Sequence, residues 1–114
     1  MASIQFWCVD LEQVYPIDSI LLFNRDDQQQ DRAQTIIVES SIDGNAWSTI
    51  HRGIVFFGGI VTGSPLRIPL MSKLAARYIK LSLDDAQYLH LDKVEVYIDI
   101  SDILFYHVCN KIWI

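Results

Sequence analysis

The chain has 114 residues, a formal net charge of −5 and 51% hydrophobic residues. This length fits a single domain with one core, and the hydrophobic fraction argues against disorder. The acidic balance argues against nucleic acid and anionic membranes as partners, and the best apolar stretch, eight residues at 54–61, is far shorter than the roughly 20 residues that cross a bilayer.

In chain order, the first residues show no export signal. Residues 1–5 lack the basic and long apolar regions of a signal peptide, so the localisation stays unassigned. After them come seven short stretches rich in Val, Ile, Leu, Tyr and Trp, bounded by turn residues. The pattern predicts strands at residues 8–11, 17–23, 35–41, 47–51, 66–70, 78–83 and 93–98. Short strands without a 3.6-residue period indicate an all-β protein, a β-sandwich.

A polar loop separates the second and third predicted strands. It spans residues 24–32 and holds Arg25 and Arg32, with acidic residues that include Asp27 between them. An arginine presents a planar fork of N–H donors, which suits two neighbouring acceptor oxygens. Two arginines on one loop, oriented by a carboxylate, predict a binding site for a compact polyhydroxylated ligand such as a sugar. The alternative is a solvated hairpin loop whose charges only keep it in water.

Side chains near two other loops leave alternatives open. Phe56 and Phe57 either stack on a sugar ring or pack inward, and His90 is either a donor to a sugar hydroxyl or an ordinary surface group. Asp92 and Glu95 are three residues apart, which places them on opposite faces of a strand, so they cannot flank one glycosidic bond. We find no nucleophile beside an activating base, and we therefore predict no catalytic residue.

The last part of the chain is too apolar for a solvated terminus. We predict a domain at residues 1–98 and an apolar extension at residues 99–114, which carries nine large apolar side chains. The extension is expected to cover apolar surface within its own chain or to cross to a second copy. The two cysteines, Cys8 and Cys109, show no metal-binding spacing. They are expected to be free thiols, with a single bridge between them as the alternative.

Five patterns in a fixed order carry a family resemblance. They are FWCVDL at residues 6–11, the polar loop, SSIDGNAW at 40–47, ARYIKL at 76–81 and LDKVEVY at 91–97. The series resembles the discoidin, or coagulation factor V/VIII type C, domain. The resemblance implies a distorted jelly-roll β-sandwich, shortened at the N-terminus.

Within that superfamily the loop is similar to the fucose-binding F-type lectins. Their motif has a histidine, a spacer, then Arg-x-Asp, four residues and Arg or Lys; Arg25, Asp27 and Arg32 match its second half. The family histidine has no counterpart, because His51, His90 and His107 all lie downstream of the loop. The resemblance implies carbohydrate-binding residues at Arg25, Asp27 and Arg32.

The family's calcium site is not expected here. Family domains usually carry an acidic loop before the FWCVDL position and a glutamate where Lys93 stands. An ammonium beside a calcium ion would repel it, and calcium needs about six to eight oxygen ligands. We therefore predict no metal and no cofactor.

These observations favour a binding module over an enzyme. The leading hypothesis is a lectin-like module that binds a glycan or monosaccharide through the Arg25–Arg32 loop, of the kind attached to bacterial glycan-processing proteins. The alternative is a protein-interaction or self-assembly module without sugar binding, with a homodimer through a sheet edge or the C-terminal tail.

Overall fold

Six strands make up nearly all of the described chain. The computed structural model describes residues 6–25, 35–53, 57–61, 63–83, 90–100 and 103–113, with backbone alone at 71–73, 99–100 and 103–113. The strands are β1 (Phe6–Asn24), β2 (Ile36–Ser41), β3 (Ser48–Arg52), β4 (Leu66–Leu83), β5 (His90–Ile100) and β6 (Ile103–Trp113). Within these ranges no helix is long and apolar enough to cross a membrane.

The strands form one antiparallel sheet in the order β3-β2-β4-β1-β5-β6. The first half of β1 pairs with β4, and β5 joins its other side only from Ile17 onward. Likewise β2 pairs only with the last part of β4, from Tyr78 to Leu83. The sheet thus has two halves, β3-β2-β4-β1 and β4-β1-β5-β6, which share its two longest strands.

An irregularity in the middle of β1 separates the two halves. The register with β4 shifts between Asp10 and Tyr15, and Glu12 has a φ of 76°. Such bulges bend a strand and let it pass from one layer to another. The four stretches predicted as separate strands at residues 8–11, 17–23, 66–70 and 78–83 are therefore two long strands, because the polar interruption bends the chain without ending the pairing.

A single core lies between the two halves of the sheet. Alternate residues of the strands point into it, as the period of two requires. One half contributes Leu11, Ile36, Val38, Ile79, Leu81 and Leu83, and the other contributes Ile17, Ile20, Leu22, Ile68, Leu91, Val94, Val96 and Ile98. Because one cluster holds side chains from both halves, the sheet folds back on itself as a sandwich, which confirms the predicted all-β architecture.

The C-terminal segment is an edge strand of the same sheet. β5 continues to Ile100, and β6 pairs with it along its length. The pairing begins with Ile103 opposite Ile100 and ends with Trp113 opposite His90. The described backbone of the tail thus pairs with β5 of the same chain. Cys8 on β1 is a free, exposed thiol.

Candidate functional site

The end of β1 meets the start of β5 at a contact between two polar side chains. Asn24 is the Cα partner of Leu91, so the antiparallel register brings Arg25 beside His90. Arg25 Nη1 lies 2.8 Å from His90 Nδ1, and both residues are half-buried. An arginine and a histidine 65 positions apart are thus joined at the mouth of the polar loop.

This contact determines the proton arrangement of the histidine ring. A guanidinium has only donors, so Nδ1 of His90 must accept the hydrogen bond. The ring is then neutral and carries its proton on Nε2, which makes Nε2 a donor. The pair therefore combines a planar cationic fork with a neutral N–H donor, a set that suits hydroxyl oxygens.

Asn24 holds this part of the chain in place. Its side chain is 1% exposed, and its Nδ2 donates to the Phe57 carbonyl oxygen at 2.9 Å. Its backbone N–H donates to the Gly58 carbonyl oxygen at 2.9 Å, and its Oδ1 accepts from the backbone N–H of Arg25 at 2.8 Å. A buried amide with both ends satisfied gives the start of the polar loop a defined position.

The same asparagine places a second loop beside the first. Residues 57–64 turn back on themselves, because Gly58 N–H donates to the Ser64 carbonyl and Gly63 N–H donates to the Gly59 carbonyl. Gly63 has a φ of 77°, which glycine adopts without strain. The tip exposes Ile60 and Val61, at 55% and 85%. An apolar tip thus belongs to a loop that is tied to the end of β1.

The structure places the sequence-predicted residues unevenly. Arg25 lies at the site, whereas Asp27 and Arg32 lie outside the described residues. Phe57 is 4% exposed, which confirms the inward-packing alternative for it, and Phe56 lies outside the described residues. His90, which the sequence left open, is brought to Arg25.

Asn24 is a site residue that sequence reasoning missed. The sequence signal for it is a polar residue at the end of a largely apolar strand. Such a residue, when buried, needs hydrogen-bond partners.

The outer face of β5 carries a closed polar cluster. Lys93 Nζ lies 3.1 Å from Glu95 Oε2, and the Tyr97 hydroxyl donates to Glu95 Oε1 at 2.9 Å. The Lys93 ammonium also lies 5.0 Å from the centre of the Phe23 ring. Both carboxylate oxygens of Glu95 are therefore engaged inside the protein. Among the side chains that the structure describes, no three His, Cys, Asp or Glu residues converge as metal ligands would.

A cavity of about 280 Å³ lies elsewhere, beside the turn after β2. Its polar lining includes Asp43, but that carboxylate accepts from the backbone N–H groups of Asn45 and Ala46 at 2.8 and 3.0 Å, and these bonds lower its pKa. The carboxylate of Asp43 thus stabilises the turn. The Arg25–His90 pair is the better candidate for ligand recognition.

Comparisons with known proteins identify a family and a fold. The family model described as an F5/F8 type C, NedA-like, galactose-binding domain matches residues 2–81. No curated protein matches the chain.

Solved structures share the fold. The lectin domain of lectinolysin in complex with Lewis B antigen has a TM-score of 0.64 and 24% identity, over 83% of this chain and 65% of its own. A fucose-binding module from Streptococcus pneumoniae has a TM-score of 0.58 and 21% identity, over 71% of this chain and 53% of its own. A Clostridium perfringens module, CpGH89CBM32-5, in complex with GalNAc-beta-1,3-galactose, has a TM-score of 0.58 and 19% identity, over 75% of this chain and 58% of its own. The chain thus spans between half and two thirds of these structures, and their discoidin-like sandwich is its fold.

Proposed function

Because the chain belongs to the F5/F8 type C domain family, among its NedA-like, galactose-binding domains, we propose that it is a non-catalytic module that binds a glycan or monosaccharide. The observation that carries this proposal is the contact of Arg25 with His90, next to Asn24, which also holds the loop that begins at Phe57. The proposed binding residues are Arg25, His90, Asp27 and Arg32.

The chemistry of the pair fits a sugar. Neighbouring hydroxyls of a pyranose ring offer acceptor oxygens at a spacing that a guanidinium fork and an adjacent N–H can reach together. A guanidinium has five N–H donors in a planar fork, and Arg25 contacts His90 through Nη1. The loop that carries the exposed side chains of Ile60 and Val61 is hydrogen-bonded to Asn24, the chain neighbour of Arg25. Small-ligand sites combine apolar surface with a few polar groups.

The similar structures support the same ligand class. The S. pneumoniae module binds fucose, and the other two are complexes with Lewis B antigen and with GalNAc-beta-1,3-galactose. In this chain we assign recognition to the Arg25 loop and its partner on β5. We assign to His90 the role of a second donor beside Arg25. Glu95, the buried carboxylate of β5, is held by Lys93 and Tyr97, which gives no support to glycoside hydrolysis.

Substitutions at the site should weaken sugar binding without unfolding the protein. A hydrogen-bond donor is lost in each of three variants, Arg25→Ala, His90→Ala and Arg32→Ala. A charged hydrogen bond is worth about 1.5–3 kcal/mol, or roughly ten- to a hundred-fold in affinity. His90→Gln keeps an acceptor for Arg25 and a donor for the ligand, so it should retain more binding than His90→Ala. A glycan array finds the ligand, and titration calorimetry measures each variant.

The matched control is Arg77→Gln. Arg77 is an exposed arginine beside Asp10, on the half of the sheet away from Asn24, and its replacement should leave the affinity unchanged. If the parent chain binds no glycan at millimolar concentration, or if the Arg25 and His90 variants bind as well as it does, the proposed function is wrong.

A further inference from the structure

The first half of β1 leaves one backbone edge of the sheet open. Residues 6–10 pair with β4, from Phe6–Ser82 to Asp10–Tyr78. On the other side of β1, β5 begins its pairing only at Ile17. Over the described part of the chain, no strand therefore continues the sheet beyond residues 6–10. Such an edge presents N–H and C=O groups in the geometry that a further strand requires.

The side chains of this edge are incompletely covered. Trp7 and Val9 face the core and pack against it, yet both stay half-buried. Their partners across the ladder, Leu81 and Ile79, are fully buried. On the opposite face, Phe6 is 55% exposed. The difference between the two strands, within the described ranges, is that this part of β4 has a neighbour on each side and residues 6–10 have one.

Other edges of the sheet carry features that discourage pairing. The exposed residues of β3 are Ser48, Thr49 and Arg52, and the first part of β4 exposes Arg67 and Pro69. Charged side chains and proline are common protections of edge strands.

The edge at residues 6–10 holds no proline, and its charged residue is paired within its own chain. Its only charge is Asp10, and Arg77 holds both carboxylate oxygens of Asp10 at 2.7 and 2.9 Å. This pairing lowers the pKa of Asp10, so the carboxylate stays ionised and compensated within its own chain. The cation beside this edge is Lys80, whose Nζ lies 5.4 Å from the centre of the Phe6 ring and 3.8 Å from Glu39 Oε1. The charges that an approaching strand meets are therefore paired within the chain.

We propose that residues 6–10 pair with the same edge of a second copy, which joins two sheets into one. A twofold axis perpendicular to the sheet leaves the core-facing surfaces of both copies on the same face of the joined sheet. Even-numbered residues then lie opposite even-numbered residues of the partner, and odd-numbered residues opposite odd-numbered ones. Pairing of all five residues then centres the axis on Cys8. Trp7 lies opposite the partner's Val9, and Cys8 lies opposite the partner's Cys8.

This arrangement removes the features that mark the edge. Trp7 and Val9 gain apolar neighbours from the second copy, and the open backbone groups gain hydrogen bonds. Opposed Cα atoms in antiparallel strands are about 4.5–5.5 Å apart, within the roughly 4.4–6.8 Å that a disulfide spans. The free, exposed thiol of Cys8 thus becomes a reporter of the register, although the pairing itself needs no bridge.

Cross-linking of the full chain tests the proposal without altering the fold. Diamide takes two electrons and two protons from a pair of thiols and leaves one disulfide, so opposed Cys8 residues should give a covalent dimer on a non-reducing gel. Cys109→Ser should cross-link as the parent does, and Cys8→Ser should not. Cross-linking that survives Cys8→Ser, or that is lost in Cys109→Ser, contradicts the proposed register.

Sedimentation velocity under reducing conditions tests the association itself. The parent chain should shift towards twice the monomer mass as its concentration rises from micromolar to near-millimolar, and Cys8→Ser should behave alike. Val9→Lys places a charge in the middle of the edge and should abolish the shift, whereas Thr49→Lys on the edge of β3 should leave it unchanged. A parent chain that stays monomeric throughout overturns the proposal. If Val9→Lys unfolds, the cross-linking of the parent chain and of Cys8→Ser still decides.

Discussion

His51 on β3 is a titratable side chain without a hydrogen-bond partner at one ring nitrogen. Its Nε2 is buried with no hydrogen-bond partner among the described residues, and its Cα partner is the fully buried Val38. Burial lowers the pKa of His51 from its ordinary value of 6.5. The neutral ring is therefore the form that the folded state accepts, because the charged form would lose its hydration without compensation.

Acid should destabilise the protein through His51. Above pH 6.5 the ring is neutral in both states; as the pH falls through 6.5, the unfolded chain binds the proton first, so stability decreases with falling pH. The replacement His51→Leu should flatten this dependence between about pH 5 and 7, in denaturant titrations at each pH. The carboxylates of Asp10 and Asp43 have pKa values lowered from 3.8, so they act only in more acidic solution. Equal slopes for the two chains would contradict this role of His51.

Lys93 makes a second residue-scale prediction, which concerns calcium. Its ammonium already compensates the Glu95 carboxylate at 3.1 Å, and a cation would have to displace it. A bound ion would stabilise the folded state by mass action. We expect no change in melting temperature between millimolar calcium and a chelator. A rise of several degrees with calcium, reversed by the chelator, would refute the prediction.

At the scale of elements, most strands could be predicted and their connections could not. Residues 17–23 and 78–83 are rich in apolar side chains and lie within observed strands, and the stretch predicted at 35–41 is a strand from Ile36. The irregularity at Glu12 breaks that local pattern, so the continuity of β1 was hidden. The Arg25–His90 contact depends on the β1–β5 register across 65 positions, which no local pattern encodes. The pairing of β6 with β5 was equally invisible, because an apolar composition does not specify a partner.

The turn between β2 and β3 illustrates an element whose sequence signal was sufficient. Asp43 accepts hydrogen bonds from Asn45 and Ala46, and Gly44 takes the positive φ of 83° that the turn requires. The turn type and loop length of a hairpin fix the register of its two strands.

Gly44→Ala should destabilise the protein by about 1–2 kcal/mol, the cost of a left-handed backbone for a residue with a Cβ. The added Cβ would also lie 3.4 Å from Cε2 of Tyr78, at the tight end of van der Waals contact. Thermal unfolding measures the effect, and Ala46→Gly, two residues on at an exposed position, is the matched control. An unchanged melting temperature for Gly44→Ala would show that the turn relaxes without strain.

At the scale of the whole molecule, the sheet depends on its last strand. We propose that residues 99–114 form a stabilising extension of the domain. β6 covers the outer edge of β5, whose Leu91, Val94, Val96 and Ile98 are almost fully buried. Without β6, these residues would lie on an edge strand.

Deletion of residues 101–114 should therefore lower stability by several kcal/mol, at about 1.5–3 kcal/mol for each large apolar side chain that loses its cover, or cause aggregation through the new edge. Denaturant titration and gel filtration measure the two outcomes. A truncated chain that stays soluble, with the melting temperature and elution volume of the full chain, would show that the tail has no structural role.

The sharing of β1 and β4 by both halves of the sheet has a consequence for how the molecule opens. Each strand runs through both halves, so neither half can detach while the other keeps its hydrogen-bond ladders. Partial unfolding should be confined to the ends, such as β3 and β6, and the central strands should open together as one cooperative unit. Amide hydrogens of residues 17–22 and 78–83 should then exchange with the same free energy, that of global unfolding, although they belong to opposite layers of the sandwich.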